Sequence, residues 1–124
     1  MGAAMGMTVM IVDDSFFMRN ILRGILNEKG YTVVAEAASG IEAMKYLHDR
    51  KPDIIILDII LPDSNGLDLL ESTLRTHPLA KVVICSGIGQ EPVIQKALAH
   101  GAKAFIQKPF TPEKVIEVLT SLEG

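Results

Sequence analysis

The chain has 124 residues, one cysteine and a net charge of −3, from 12 basic and 15 acidic residues. This length fits one domain, and a lone cysteine excludes a disulfide framework. The charges are mixed along the chain and form no basic block of the kind that binds nucleic acid. Since no apolar run approaches the roughly 18 residues of a membrane span, we expect a cytoplasmic protein without a membrane or nucleic-acid partner.

The two ends of the chain are predicted to lie outside the folded domain. Residues 1–6, MGAAMG, lack the basic residues of a signal peptide and indicate a disordered start or a cloning remnant. Residues 123–124 indicate a tail or a cloning scar. One domain is therefore expected over residues 7–122, with a hydrophobic fraction of 48% that can build a full core.

Short apolar runs alternate with segments of helical periodicity five times. The first helix has an apolar stripe at Phe17, Ile21, Ile25 and Leu26, and Gly30 stands in the usual position past a helix end. The strands are predicted at about residues 7–12, 32–37, 53–57, 81–85 and 103–107. The later helices are predicted from 39 to about 49, from the 61–66 loop to about 76, from about 92 to 100, and from 111 onward.

Local signals support two of these helix starts. Ser39 and Glu42 form a capping box, in which each side chain satisfies a free backbone N–H. Thr111 is a good cap, and Pro112 follows it at the first helical position, where the missing N–H does no harm.

The alternation predicts an α/β fold of the (βα)₅ type, a three-layer sandwich with helices on both faces of a parallel five-stranded sheet. Crossovers between parallel strands are right-handed. Five strands of this kind favour the flavodoxin-like order 2-1-3-4-5, which has a switch point between strands 1 and 3.

Polar residues stand at the carboxyl ends of four predicted strands. Asp13 and Asp14 follow strand 1, Asp58 follows strand 3, Ser86 follows strand 4 and Lys108 follows strand 5. Open α/β sheets build their ligand sites at this edge. Three close carboxylates favour a hard divalent cation such as Mg²⁺ or Mn²⁺, and an ammonium beside them is suited to a phosphoryl group.

Asp14, Ser86 and Lys108 also have simpler explanations. Asp14 or Ser15 could cap the first helix, Ser86 could cap the loop after strand 4, and Lys108 could be a solvated charge. The predicted convergence of all five at one edge favours the site. Cys85 lies in an apolar strand and is expected to be buried, and His48, His77 and His100 show no ligand spacing and are expected at the surface.

The combination resembles the receiver domain of bacterial and archaeal two-component response regulators, from about residue 7 to residue 122. The resemblance rests on Val12-Asp13-Asp14-Ser15, Leu57-Asp58, Pro62 with Gly66, Ser86-Gly87 and Lys108-Pro109-Phe110. One departure is Gly87, where the family more often has alanine.

This resemblance implies a role for each residue. Asp58 would accept the phosphoryl group, and Lys108 would hold that group. The acidic pair would bind Mg²⁺ together with Asp58 and the backbone carbonyl of Ile60. Ser86 would be the switch hydroxyl, and Phe105 the aromatic side chain that swings inward when Ser86 moves.

The implied function is a signalling switch rather than an enzyme, since it catalyses only its own phosphorylation and dephosphorylation. A sensor histidine kinase would supply the phosphoryl group, a phosphatase could remove it, and the face of helix 4, strand 5 and helix 5 would change its affinity for a downstream protein. Phe17-Met18-Arg19 and Cys85-Ser86-Gly87 with Gly89-Gln90 resemble stand-alone chemotaxis receivers, whose target would be a flagellar motor component.

Three alternatives stay open from the sequence. The chain could be the receiver part of a larger regulator with an output domain. A Mg²⁺-dependent phosphatase of the haloacid dehalogenase type would need a D-x-D pattern after strand 1, where this chain has Asp13-Asp14-Ser15. Flavodoxin-like cofactor binding would need a Ser/Thr-rich phosphate loop at the same place, which the sequence lacks.

Overall fold

The structure is a computed structural model that describes residues 6–122. The predicted loose ends, apart from Gly6, lie outside these residues. Within them the strands are β1 (Thr8–Val12), β2 (Thr32–Ala37), β3 (Ile54–Asp58), β4 (Lys81–Ser86) and β5 (Ala104–Gln107). The helices are α1 (Phe16–Glu28), α2 (Gly40–Asp49), α3 (Gly66–Thr76), α4 (Glu91–Ala99) and α5 (Pro112–Thr120).

All strand pairs are parallel and the order is β2-β1-β3-β4-β5, so the predicted fold and order are confirmed. The central strand β3, sequence IIILD, is buried along its whole length, as expected when helices cover both faces of a parallel sheet. Strands β3 and β4 each extend one residue further than predicted, so Asp58 and Ser86 are the last residues of their strands.

The side chains of the sheet alternate between two cores. One core lies under α1 and α5 and includes Val9, Ile11 and Ile56. The other lies under α2, α3 and α4 and includes Met10, Ile55 and Leu57. These two cores fix the height of every strand end, and thereby the positions of the polar residues there.

Side-chain caps start α2 and α5 as predicted, and Ser15 caps α1. The hydroxyls of Ser15, Ser39 and Thr111 accept hydrogen bonds from backbone N–H groups in the first turns of α1, α2 and α5. The Glu42 side chain reaches back to the N–H of Ala38, one residue before the cap.

The prediction for the buried face of α1 was wrong in part. Phe17 is 71% exposed and Ile21 is 36% exposed, whereas Leu22, Ile25 and Leu26 are buried. The prediction of three surface histidines was also wrong for His77, which is buried and lies with Nε2 2.7 Å from the Leu47 carbonyl.

Within residues 6–122, no helix is both long enough and apolar enough to cross a membrane.

Candidate functional site

The carboxyl edge of the sheet brings the predicted site residues together. Asp13 directly follows β1, Asp58 ends the neighbouring β3, and Ser86 ends β4. Lys108 follows β5 at the sheet edge and its N–H donates to the Ser86 carbonyl over 2.6 Å. The peptide bond between Lys108 and Pro109 is cis.

The three aspartates form one acidic cluster. One carboxylate oxygen each from Asp13, Asp14 and Asp58 lies within 4.8 Å of the others. Asp13 and Asp58 are buried while Asp14 is exposed, so the cluster opens to solvent on one side. Because oxygen ligands of this kind suit hard divalent cations, these residues could hold Mg²⁺.

Ile60 stands two residues beyond Asp58. Its N–H donates to Asp58 Oδ1 over 2.9 Å, which fixes the side chain of the aspartate. The role of the Ile60 carbonyl as a ligand of the cation, which the resemblance implies, stays a prediction.

Lys108 is the cationic side chain that contacts the carboxylates of the acidic cluster. Its Nζ donates to Asp13 Oδ2 at 2.8 Å and to Asp58 Oδ2 at 3.1 Å. Its side chain is 21% exposed, so this double ion pair is shielded from solvent. The simpler explanation of a solvated lysine therefore does not hold.

At the acidic cluster and beside it, the environment shifts the pKa values of three groups. Burial raises the pKa of Asp58, although the Ile60 N–H and Lys108 oppose the change. For Lys108, burial acts to lower the pKa, but the carboxylates of Asp13 and Asp58 outweigh it and the pKa is raised. Burial also raises the pKa of Cys85 to about 12. The site thus keeps a firmly protonated lysine against a desolvated carboxylate, and the cysteine stays neutral.

Ser86 and Phe105 lie on the same face of the sheet. Phe105 is in register with Ile84, two residues before Ser86, and side chains two apart on a strand share a face. Ser86 is buried, and its Oγ has no hydrogen-bond partner among the described residues. Phe105 is 41% exposed. A buried hydroxyl without a partner costs about 1–3 kcal/mol. A new hydrogen-bond acceptor nearby would therefore favour movement of this hydroxyl toward it.

The loop between β3 and α3 is tied to a neighbouring helix. Asp63 accepts hydrogen bonds from the first two N–H groups of α2, from Gly40 at 2.8 Å and from Ile41 at 3.1 Å. These bonds lower the pKa of Asp63. At the end of the loop, a Cβ on Gly66 would overlap the backbone of Ile59, so only glycine fits there.

Gly87, by contrast, has space around it. A Cβ built on this residue would meet no heavy atom within 4 Å, so an alanine would fit. The departure noted from the sequence has no steric cause in the described part of the chain.

Arg19 belongs to the site and was missed by the sequence reasoning. Its Nη1 donates to the backbone carbonyl of Asp13 at 2.6 Å, and its Nε donates to Glu36 at 3.3 Å. The available signals were an arginine in the helix after the acidic pair and a lone charged residue, Glu36, in the edge strand.

Comparisons with known proteins find similarity along most of the chain. The family model described as "Response regulator receiver domain" matches residues 9–120. The chain is 42% identical to the chemotaxis protein CheY of Thermotoga maritima over 95% of this chain and 98% of that protein. It is 43% identical to the chemotaxis protein CheY of Listeria monocytogenes over 90% of this chain and 93% of that protein.

A solved structure with the same fold carries the comparison further. The structure of NtrX from Brucella abortus superposes with a TM-score of 0.87 at 31% identity, covering 96% of this chain and 28% of that chain. The fold described above therefore occurs both in proteins of this length and as part of a longer one.

Proposed function

Because this chain belongs to the response regulator receiver domain family, we propose that it is a phosphorylation-activated signalling switch with Asp58 as the phosphoryl acceptor. The observation that carries the proposal is the position of Asp58. It is the buried last residue of β3, with Lys108 at 3.1 Å and two further carboxylates beside it. The phosphoryl donor is the phosphohistidine of a sensor histidine kinase.

The transfer follows from these contacts. An oxygen of Asp58 attacks the phosphorus, the P–N bond to the donor imidazole breaks, and the nitrogen keeps the electron pair and takes a proton. Lys108 offsets negative charge on the phosphoryl oxygens. A divalent cation held by Asp13, Asp14 and Asp58 would supply further positive charge at the same oxygens.

The output relies on the unpaired hydroxyl. A phosphoryl oxygen on Asp58 offers Ser86 the hydrogen-bond partner that it lacks among residues 6–122. As Ser86 moves toward the site, it leaves space on the face that it shares with Phe105. The exposed Phe105 ring turns into this space and changes the surface of α4, β5 and α5, which shifts the population between two states.

Chemotaxis is the context that the relatives favour. Two chemotaxis proteins match nearly end to end at 42% and 43% identity. On this proposal the target is a flagellar motor component, the signal ends through a phosphatase or back-transfer, and the protein acts in the cytoplasm, where a free Cys85 is stable. It is no enzyme beyond its own phosphorylation and dephosphorylation.

A second candidate is the receiver part of a larger regulator. It is supported by the match to 28% of the NtrX chain, in which the same fold is part of a longer protein. The full reading frame distinguishes the two candidates.

The central test is chemical modification of Asp58. Wild type incubated with Mg²⁺ and acetyl phosphate should gain one phosphoryl group by intact mass, and Asp58→Asn should gain none. Asp49→Asn is the matched control, since Asp49 is an exposed carboxylate at the end of α2. Modification of Asp58→Asn at the wild-type level would refute the assignment, and turnover of a small phosphomonoester would point to the phosphatase alternative.

A further inference from the structure

Arg19 spans the space between α1, the edge strand and the acidic pair. It lies in the second turn of α1, where its N–H donates to the Ser15 carbonyl. Its guanidinium donates from Nη1 to the Asp13 carbonyl at 2.6 Å and from Nε to Glu36 at 3.3 Å. The side chain is 14% exposed, so a long charged residue is held in one place.

Glu36 gives this guanidinium a fixed support. Ala35 and Ala37 pack into the core under α2, and because strand side chains alternate, Glu36 points to the opposite face, toward α1. One of its carboxylate oxygens binds Arg19, and the other binds Arg23. The edge strand thus holds Arg19 through a second contact, separate from the one to Asp13.

The contact with Asp13 is to the backbone, and this matters for the next residue. The carbonyl of Asp13 and the N–H of Asp14 belong to one planar peptide group. A hydrogen bond on that carbonyl therefore sets the plane from which the Asp14 side chain leaves the chain. The Asp14 carboxylate itself has no partner between residues 6 and 122, so its direction depends on this backbone.

We infer that Arg19 is a positioning residue for the acidic pair Asp13–Asp14, holding the peptide between them so that both carboxylates face the same ligand. The inference deepens the proposed function and rests on it. A lysine could not replace Arg19 in full, because only the planar guanidinium fork bonds the carbonyl and Glu36 at once. The Phe16 ring, whose centroid lies 5.7 Å from the guanidinium carbon, adds a cation–π contact.

Cation affinity and backbone shifts test the inference without relying on phosphorylation. The dissociation constant for Mg²⁺ is measured by amide NMR titration of wild type, Arg19→Gln, Arg19→Lys and Arg23→Gln. Loss of a residue that orients metal ligands weakens binding about 10- to 100-fold, and we expect about tenfold weaker binding for Arg19→Gln. The amide signal of Asp14 should also shift in this variant without any cation.

The two other variants separate positioning from charge and from general stability. Arg23→Gln removes a charge bonded to the same Glu36 but touches neither aspartate, so its Mg²⁺ affinity should stay within about twofold of wild type. Arg19→Lys keeps the charge but not the fork, and its affinity should fall between wild type and Arg19→Gln.

The possible outcomes are distinct. Equal affinity in Arg19→Gln and wild type would overturn the inference, and so would full recovery in Arg19→Lys, since charge alone would then explain the effect. An equal loss in Arg23→Gln would assign the effect to stability and overturn it too. If wild type itself bound no Mg²⁺ and Asp58 were not modified by acetyl phosphate, the proposed function would fail instead.

Discussion

Lys108, at the end of the edge strand β5, is ion-paired at 2.8 Å with Asp13, at the end of β1, although β3 and β4 lie between the two strands. The bond closes the carboxyl edge of the sheet over Asp58. It also makes the buried aspartate of the acidic pair different from its exposed neighbour, since Asp13 has a cationic partner and Asp14 has none among the described residues.

Asp13→Ala and Asp14→Ala should therefore have opposite effects on stability. Removing Asp13 leaves a partly buried ammonium with one partner fewer and frees the Ser15 N–H, so the free energy of unfolding should fall by about 1–3 kcal/mol. Removing Asp14 relieves like-charge repulsion and should raise that free energy by about 0.5 kcal/mol or less, as at other exposed sites. Urea unfolding in EDTA measures both, and equal shifts of the same sign would contradict the asymmetry.

Lys108→Ala should leave Asp58 open to modification but disconnect it from the output face. Without the ammonium, no ion pair links the phosphoryl group to the end of β5, so phosphorylation is not transmitted to the output face. The measurement is phosphorylation yield together with amide NMR shifts on α4 and β5. Lys103→Ala, just before β5, is the control, and a normal shift pattern in phosphorylated Lys108→Ala would argue against this role.

Ser86→Ala should stabilise the unphosphorylated domain. The change removes a buried hydroxyl that has no partner in the described chain, so the free energy of unfolding should rise by about 1 kcal/mol, or roughly 4 °C in melting temperature for a domain of this size. After phosphorylation, the Phe105 ring signals should stay at their resting positions. A lower melting temperature would mean that Ser86 makes a stabilising bond.

Stability should decline as the pH rises above 9. The fold holds the Cys85 thiol neutral with a pKa of about 12, above the ordinary value of 9.0, so between these values the unfolded chain loses a proton that the folded chain keeps. Stability is then lost as the pH rises. Chemical denaturation from pH 8 to 11 should show a shallower decline in Cys85→Ala, and equal slopes would count against this origin.

The phosphoryl group on Asp58 should be long-lived. Ile60 and Ile88 stand two residues past Asp58 and Ser86, and neither side chain can hydrogen-bond an attacking water. Hydrolysis then lacks the increase in rate that comes from orienting the attacking water. In Mg²⁺ after donor removal, Ile60→Asn/Ile88→Glu should lose the group several-fold faster than wild type, while equal or slower decay would show that these side chains do not control the water.

The sequence was sufficient for the sheet and for most of the site, because both depend on local patterns. Parallel strands are short apolar runs, and four of the five ended at a polar residue whose place followed from the strand order. Asp58 and Lys108 could be assigned to one edge without any coordinates.

What the sequence could not supply depends on tertiary packing. On α1, Phe17 and Ile21 satisfy helical spacing as well as Met18 and Leu22 do, and only the docking of the helix decides which pair packs against the core. The contact of Arg19 is to a backbone carbonyl, which every residue has, so the arginine and the glutamate in the sequence do not by themselves show where the guanidinium binds. The burial of His77 was missed for the same reason, because its partner is the backbone carbonyl of Leu47.

The first two amides of α2 donate hydrogen bonds to Asp63. These bonds allow the loop that contains Asp63 to be followed by amide exchange. The amide protons of Gly40 and Ile41 are bonded to a carboxylate of the loop after Asp58, so we expect their exchange with solvent to be slowed while that loop stays in place. Exchange at these two positions therefore monitors a loop more than 20 residues away along the chain. If a partner displaces this loop, the amide protons at the start of α2 should exchange faster. The measurement needs no label or probe on the acidic cluster.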